Sequence, residues 1–133
     1  MKEILFICTH NSARSQIAEA LTNAYLSNTY KAYSAGTTTT KVNPYVAKAL
    51  NEIGIDTSKL RSKSINEFKG KKFDMVITVC DGAKEACPFF PGKKVMHKSF
   101  TDPSKFTGTE EQIMQQVRQA RDEIKEWVTK TFQ

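Results

Sequence analysis

The fold of this chain is decided by one stretch near its beginning, Ile4-Leu5-Phe6-Ile7-Cys8-Thr9-His10-Asn11-Ser12-Ala13-Arg14-Ser15. Its first four residues are apolar and are bounded by charged residues before and polar residues after, which is typical of a strand buried on both faces. From about Ser12 to Ser27 apolar residues recur at the spacing of one helical face. They are Ile17, Ala20, Leu21 and Ala24. The stretch therefore predicts a buried strand, a polar loop and a helix in direct succession.

The same two patterns continue along the chain. Apolar runs predict strands at 31–34, 73–79 and 95–96, and helical spacing predicts helices at 43–54 and 109–132. Strands that alternate with helices form parallel sheets with right-handed crossovers. We therefore expect an α/β fold in which residues 1–133 form a single domain, with an open parallel four-stranded sheet and helices on both faces. In such sheets ligands bind beyond the carboxyl ends of the strands.

The composition argues against several classes of protein. The chain has 133 residues, of which 39% are hydrophobic and 26% charged, a balance unlike that of disordered or low-complexity proteins. It contains no apolar run near the roughly 20 residues of a membrane span and no export signal, so we expect a cytoplasmic protein without a membrane partner. Three cysteines, an odd number, favour reactive thiols over a structural disulfide framework.

The charge balance points to the kind of ligand. A formal net charge of +6 favours an anionic ligand or an acidic partner. The lysine clusters at 69–72 and 93–94 have no interleaved stacking aromatics, so we expect no nucleic acid partner. We also expect the chain to act as a monomer.

The loop from Cys8 to Ser15 has the form of an oxyanion site. A cysteine between a strand and a helix N-terminus lies near unpaired N–H groups, which stabilise its thiolate and can also surround an oxyanion. Arg14 can close this ring through bidentate contacts, Ser15 can hydrogen-bond the thiolate, and Asn11 tolerates the left-handed backbone of a tight loop. The candidate oxyanion-binding residues are Thr9, His10, Asn11, Ser12, Ala13, Arg14 and Ser15. The alternative is a buried cysteine beside an ordinary helix start, capped by Ser12 or Ser15.

Asp102 is the candidate general acid. A thiolate that displaces an oxygen leaving group from an oxyanion needs a positioned acid to protonate that oxygen. Pro103 restricts Asp102 toward an extended conformation in a loop, from which its carboxyl can project over a neighbouring site. By itself, an Asp-Pro pair is also an ordinary turn or helix-start signal.

Cys80 and Cys87 form a second group of thiols. If the segment between them were helical, their Cα atoms would lie roughly 10 Å apart by helical rise alone, whereas a disulfide needs roughly 4.4–6.8 Å. A bond between them would therefore require local refolding, which Gly82 and Pro88 favour. Two alternatives remain: a zinc site with His97 as a third ligand, although no C-x2-C pair is present, or two inert buried thiols.

The whole chain resembles the low-molecular-weight protein tyrosine phosphatases and the arsenate reductases built on the same fold. The loop from Cys8 to Ser15 is similar to the phosphate-binding loop of this family, and 16–20 is similar to its continuation in the arsenate reductases. Further similarity lies in Ser34-Ala35-Gly36 and Gly54-Ile55-Asp56. The two later thiols are similar to those of the thioredoxin-coupled arsenate reductases.

This resemblance implies an arsenate reductase that works by a three-thiol relay. Cys8 attacks the arsenic of arsenate while Asp102, in the position of the family's general acid, protonates the departing oxygen. Cys80 then attacks the Cys8 sulfur and releases arsenite, and Cys87 attacks Cys80 to leave a disulfide between these two residues. The implied substrate is arsenate or a phosphate-like oxyanion, the implied partner is thioredoxin, and no bound cofactor is expected.

The chain departs from its relatives at several positions. Potassium-binding relatives have side chains that match Asn11, Glu19 and Ser34, but Lys63 stands where they have an aspartate. Its ammonium group could substitute for the cation, so we expect no metal. His10 replaces a common glycine, and we interpret it as a loop residue.

Two other functions remain open at this point. A low-molecular-weight tyrosine phosphatase would use the same loop, but these enzymes often place aromatic residues directly after the Asp-Pro pair, where this chain has Ser104 and Lys105. A redox-sensing or anion-binding module would use the same cysteines without turnover.

Overall fold

The computed structural model describes residues 1–80 and 89–132. These residues form four strands and three α-helices, which alternate from the first strand to the third. Their bounds are β1 Lys2–Cys8, α1 Arg14–Tyr25, β2 Tyr30–Gly36, α2 Pro44–Glu52, β3 Met75–Thr78, β4 Lys94–His97 and α3 Glu110–Thr131. Two short 3-10 turns, Ile65–Phe68 and Pro103–Lys105, lie in the connections.

The four strands form one parallel sheet in the order β2-β1-β3-β4. The predicted α/β fold with a parallel four-stranded sheet is thereby confirmed. Residues 4–8 of β1 are buried, as expected for a central strand with both faces covered. Within the sheet, β2 lies on one side of β1 and β3 lies on its other side. The strand order therefore changes direction at β1. Cys8 is the last residue of that strand.

The two faces of the sheet are covered differently. Alternate residues of β1, Ile4 and Phe6, share a buried cluster with apolar residues of all three α-helices. Their neighbours Leu5 and Ile7 face a second cluster, which includes Phe73 and Phe90 and against which the turn at 65–68 packs. This separation follows from the two-residue period of a strand.

The helix boundaries follow the predicted signals, with one informative difference. The Asn43 side chain caps α2 by accepting hydrogen bonds from Tyr45 N and Val46 N. Thr109 forms a capping box with Gln112 at the start of α3. In contrast, α1 begins at Arg14 and not at Ser12, because the residues between β1 and Ala13 form the loop described below.

The buried face of α3 contains a charged residue. Val117, Ile124 and Val128 are buried, and so is Arg121. Its guanidinium donates to Ala49 O at 2.8 Å and lies 3.4 Å from Glu52 Oε1, so α3 is joined to the end of α2 by a charged group as well as by apolar packing. Long side chains of this kind can bury their stems while their polar ends stay paired.

Among the described residues, no helix is both long and apolar enough to cross a membrane.

Candidate active site

The loop between β1 and α1 folds back over the end of its own strand. Asn11 has a φ of 52°, the left-handed conformation that its residue type tolerates. This turn brings the backbone N–H of Asn11 to 3.2 Å from Cys8 Sγ. A main-chain donor therefore points at the sulfur from within the loop.

Ser15 provides a second contact to the sulfur. Its Oγ lies 2.9 Å from Cys8 Sγ, and it accepts a hydrogen bond of 2.8 Å from Asn11 Nδ2. Because that amide supplies the serine oxygen with a donor, the serine's own hydrogen is available for the sulfur. The N-cap residue of α1 is Ala13, and no side chain caps this helix. The interpretation of Ser12 or Ser15 as an ordinary helix cap is therefore wrong.

Asn11 is itself held by groups that the sequence did not reveal. Its Oδ1 accepts from the backbone N–H of Lys63 at 2.7 Å and from Gln16 Nε2 at 3.0 Å. Gln16 Nε2 also lies 2.7 Å from the carbonyl oxygen of Arg61. The contacts to Lys63 and Arg61 join residues 52 and 45 positions apart in the chain, and no local pattern predicts them.

Gly36, at the end of β2, supports the loop by its lack of a side chain. A Cβ atom at this position would lie 2.6 Å from Thr9 O, 2.9 Å from Asn11 N and 2.9 Å from Cys8 O. All three are backbone atoms, which cannot turn aside as a flexible side chain can. The signal in the sequence was the Ser34-Ala35-Gly36 stretch, whose similarity to the family gave no structural reason for the glycine.

Arg14 and Asp102 lie next to each other at the opening of the loop. Arg14 is only 2% exposed although it is the first residue of α1. Its Nη2 is 3.6 Å from Asp102 Oδ2, and its Nη1 donates to the carbonyl oxygen of Phe100 at 3.5 Å. The structure thus brings the predicted arginine and the predicted acid together from positions far apart in the chain.

Behind the loop, Glu19 and Lys63 form a buried ion pair. Lys63 Nζ lies 3.5 Å from Glu19 Oε1 and 3.4 Å from Ser34 Oγ, and it donates to Arg61 O at 2.9 Å. Burial raises the pKa of Glu19 above its usual value, and the nearby Lys63 opposes this shift. The ammonium group is therefore beside the carboxylate, as the sequence suggested. That it replaces a cation remains a prediction.

The second group of thiols is described only in part. Cys80 is fully buried two residues beyond β3 and belongs to the same buried cluster as Cys8. Because Ile7 and Thr78 are paired neighbours on β1 and β3, both cysteines follow the same edge of the sheet. Cys87 lies outside the described residues, and so does its predicted bond to Cys80.

His97, the candidate third zinc ligand, has other neighbours. Its Nδ1 lies 2.7 Å from Thr78 Oγ1 and its Nε2 lies 3.0 Å from Ser99 Oγ. Within residues 1–80 and 89–132, no three histidine, cysteine or acidic side chains are grouped so that they could hold a metal ion.

His10 lies at the rim of the loop. Its Nδ1 is 3.1 Å from Thr38 O, and its carbonyl oxygen accepts from Ser62 Oγ at 2.9 Å. These contacts to neighbouring loops agree with its interpretation as a loop residue.

Comparison with known proteins places this geometry in a family. The model of low molecular weight phosphotyrosine protein phosphatase matches residues 3–132. An arsenate reductase of Halalkalibacterium halodurans is 43% identical over 132 residues, which cover 98% of this chain and 94% of that protein. An arsenate reductase of Bacillus subtilis is 41% identical over 124 residues, which cover 92% of this chain and 89% of that protein.

Solved structures give the same result. An arsenate reductase in its phosphate-binding state superposes with a TM-score of 0.82 at 27% identity, covering 98% of this chain and 96% of that chain. A thioredoxin-dependent arsenate reductase of Corynebacterium glutamicum superposes with a TM-score of 0.65 at 27% identity, covering 98% of this chain and 63% of that chain. The predicted resemblance to arsenate reductases of this fold is confirmed, and the chain belongs to the low molecular weight phosphotyrosine protein phosphatase family.

Proposed function

We propose that this protein reduces arsenate to arsenite through Cys8, Cys80 and Cys87, and that thioredoxin restores the reduced enzyme. The observation that carries the proposal is the position of Cys8 Sγ, which lies within 3.2 Å of the Asn11 N–H and 2.9 Å of Ser15 Oγ at the start of a helix. The names of the relatives support arsenate as the substrate, and one solved neighbour is named as thioredoxin-dependent.

The first step joins the cysteine sulfur to arsenic. The Cys8 thiolate attacks arsenic and a sulfur–arsenic bond forms, while an arsenic–oxygen bond breaks. Asp102 gives its proton to the departing oxygen, which leaves as water. Arg14 and the N–H groups of the loop hold the remaining oxygens, since a ring of donors at a helix N-terminus suits an oxyanion.

The second step is the reduction itself. The Cys80 thiolate attacks the Cys8 sulfur and a disulfide forms between them. The electron pair of the sulfur–arsenic bond passes to arsenic, which falls from the pentavalent to the trivalent state and leaves as arsenite. The two electrons therefore come from the two sulfur atoms, which are oxidised to the disulfide.

The third thiol accounts for the return to the starting state. Cys8 is 2% exposed, so an external protein has little access to its sulfur in a disulfide with Cys80. Attack of the Cys87 thiolate on Cys80 frees Cys8 and moves the disulfide to Cys80 and Cys87, where a dithiol protein reduces it. This chemistry requires a reducing compartment, and we place the protein in the cytoplasm as a monomer.

Hydrolysis of aryl phosphates is a second activity of the same loop. It needs the nucleophile Cys8, the oxyanion contacts of Arg14, the acid Asp102 and water, but no second thiol. The family to which the chain belongs favours this activity. Ser104 and Lys105 follow the Asp102-Pro103 pair, where phosphatases of this fold often have aromatic residues, and Phe106 packs against the core cluster. We therefore expect aryl-phosphate hydrolysis to be the weaker activity.

One assay compares these functions directly. NADPH consumption is followed with thioredoxin and its reductase in the presence of arsenate, and release of phenol from an aryl phosphate is followed separately. We expect arsenate-dependent NADPH consumption by the wild type, and loss of both activities in Cys8→Ser, because a serine hydroxyl is not ionised near neutral pH. Binding of arsenate without turnover would instead support an anion-binding module and would refute the proposal.

A further inference from the structure

The hydroxyl of Ser104 lies where three separate segments meet. Ser104 is in the turn Pro103–Lys105, directly after the candidate acid Asp102. Its Oγ is 3.3 Å from Ser12 Oγ in the oxyanion loop and accepts a hydrogen bond of 3.2 Å from Asn43 Nδ2 at the start of α2. The side chain thus joins the acid-bearing turn to the loop that holds the nucleophile.

The donors and acceptors of this cluster are complementary. Asn43 Nδ2 supplies a hydrogen to Ser104 Oγ, which leaves the serine's own hydrogen for Ser12 Oγ. The backbone N–H of Asn43 also donates to Ser12 O at 2.9 Å. Asn43 Oδ1 is occupied separately in capping α2. Asn43 therefore contacts both Ser12 and Ser104 while its side chain also caps α2.

The same turn also contacts the carboxyl of Asp102 directly. The backbone N–H of Ser104 donates to Asp102 Oδ1 at 3.0 Å, and Asp102 Oδ2 lies 3.6 Å from Arg14 Nη2. Pro103 is buried, which anchors the turn. A shift of Ser104 relative to Ser12 would move the acid relative to the oxyanion loop.

We propose that Ser104 is a positioning residue, whose hydroxyl ties the turn to the oxyanion loop so that Asp102 lies beside the leaving oxygen. The inference rests on the role of Asp102 as the acid in the proposed function. It does not depend on arsenate as the substrate. A misplacement of about 1 Å at a reacting centre can cost two orders of magnitude in rate, so a contact of this kind has a measurable effect.

Aryl phosphates allow the role of the acid to be isolated. In the first step the Cys8 sulfur forms a bond to phosphorus while the bond from phosphorus to the aryl oxygen breaks, and its electron pair stays on that oxygen. The proton of the Asp102 carboxyl passes to the same oxygen. Phenolate is a poor leaving group and needs this proton, whereas p-nitrophenolate leaves readily without it. A residue that acts only by placing the acid therefore affects phenyl phosphate more than p-nitrophenyl phosphate.

The test compares kcat/KM for the two esters in Ser104→Ala, because this parameter reports the step in which the aryl group leaves. We expect a loss of about tenfold for phenyl phosphate, a part of the ~10²–10⁴ typical of a whole general acid, and a loss of less than about twofold for p-nitrophenyl phosphate. Inhibition by inorganic phosphate should not change, since the oxyanion contacts remain.

Ser104→Thr keeps the hydroxyl and should restore the rate. Asn43→Ser keeps a capping oxygen but is too short to reach Ser104, so it should reproduce the selective loss.

Ser58→Ala is the matched control. Like Ser104, Ser58 is exposed, and its backbone N–H donates to the aspartate two residues earlier, at 2.9 Å from Asp56 Oδ1. Unlike Ser104, Ser58 lies in the connection after α2. We expect it to leave both rates unchanged.

Three results would overturn the proposal. The first is an equal loss of kcat/KM for the two esters in Ser104→Ala, and the second is no loss for either ester. The third is a wild-type protein that hydrolyses neither ester, because Asp102 would then have no leaving oxygen to protonate. Failure of the wild type to reduce arsenate, with the selective loss still present, would refute the proposed function and leave the role of Ser104 standing.

Discussion

Gly36 and the oxyanion loop approach each other so closely that any side chain would displace the loop. In Gly36→Ala the new Cβ would lie 2.6–2.9 Å from three backbone atoms of residues 8–11. Overpacking of this kind costs roughly 1–3 kcal/mol, so we expect phosphate to bind about 5- to 150-fold more weakly. Isothermal titration with inorganic phosphate measures this. Gly54→Ala is the control: its φ of 83° makes an alanine strained, but nothing lies within 4 Å, so stability should fall while phosphate affinity stays. Unchanged phosphate binding by Gly36→Ala would contradict the close packing.

The buried pair of Glu19 and Lys63 predicts a pH dependence of stability. Burial, opposed by Lys63, raises the pKa of Glu19, and in Lys63→Met this opposition is lost, so the pKa rises further. A raised pKa in the folded state gives stability that is present below the unfolded pKa and is lost as pH rises through the folded value. We therefore expect the free energy of unfolding of Lys63→Met to fall below that of the wild type as pH rises from about 4, by roughly 3 kcal/mol at neutral pH.

Urea unfolding at a series of pH values measures this difference. The double variant Glu19→Gln, Lys63→Met has no carboxyl at position 19 to titrate, so its stability should lack the fall with rising pH that Glu19 causes in Lys63→Met. If Lys63→Met and the wild type lost stability in parallel with pH, Lys63 would not be the partner that lowers the pKa of Glu19.

At the scale of single residues, the sequence predicted the reactive residues of the loop better than the residues that hold them in place. The residue types of Cys8, Asn11 and Ser15 carry local signals, because each is suited to one task in a tight loop. The supports come from Gln16, Gly36 and the backbone of Lys63, whose contacts depend on how distant segments pack. Such contacts require the assembled fold.

Among the elements, α3 has the clearest local determinant of its start. Thr109 Oγ1 accepts from Gln112 N at 3.2 Å, and Gln112 Oε1 accepts from Thr109 N at 2.9 Å. Thr109→Ala removes one half of this capping box and should lower the free energy of unfolding by about 1 kcal/mol. Thermal or urea unfolding measures this, with Thr107→Ala, another exposed threonine of the same connection, as the control. Catalytic rates should not change, and equal stability of the two variants would contradict the role of the cap.

The helices and strands were predictable where the sequence shows a cap and an apolar period that extends over many residues. The helices at 44–52 and 110–131 agree with the predicted spans to within about two residues, since a cap and an apolar period mark each of them. The strand at 94–97 was harder to find, because it lies at the edge of the sheet and its residues are mostly exposed. The start of α1 was placed two residues too early, because the serine at position 12 looks like a cap in sequence but belongs to the loop.

For the molecule as a whole, the sheet brings chemistry from distant parts of the chain to one edge. Cys8 ends β1, Cys80 follows the adjacent β3, and Asp102 reaches Arg14 from the connection before α3. Parallel sheets place the carboxyl ends of neighbouring strands together, which is why the fold class alone directed attention to these positions. The distances within the site depended on the structure.

The central claim is that three thiols act in sequence on one substrate. Disulfide mapping by mass spectrometry after a single exposure to arsenate, without a reductant, tests it most directly. We expect a bond between Cys80 and Cys87 in the wild type. In Cys87→Ser the relay should stop one step earlier, with a bond between Cys8 and Cys80 and one arsenite released per enzyme. A Cys87→Ser variant that shows no bond between Cys8 and Cys80, or that continues to reduce arsenate with thioredoxin through many turnovers, would contradict the account.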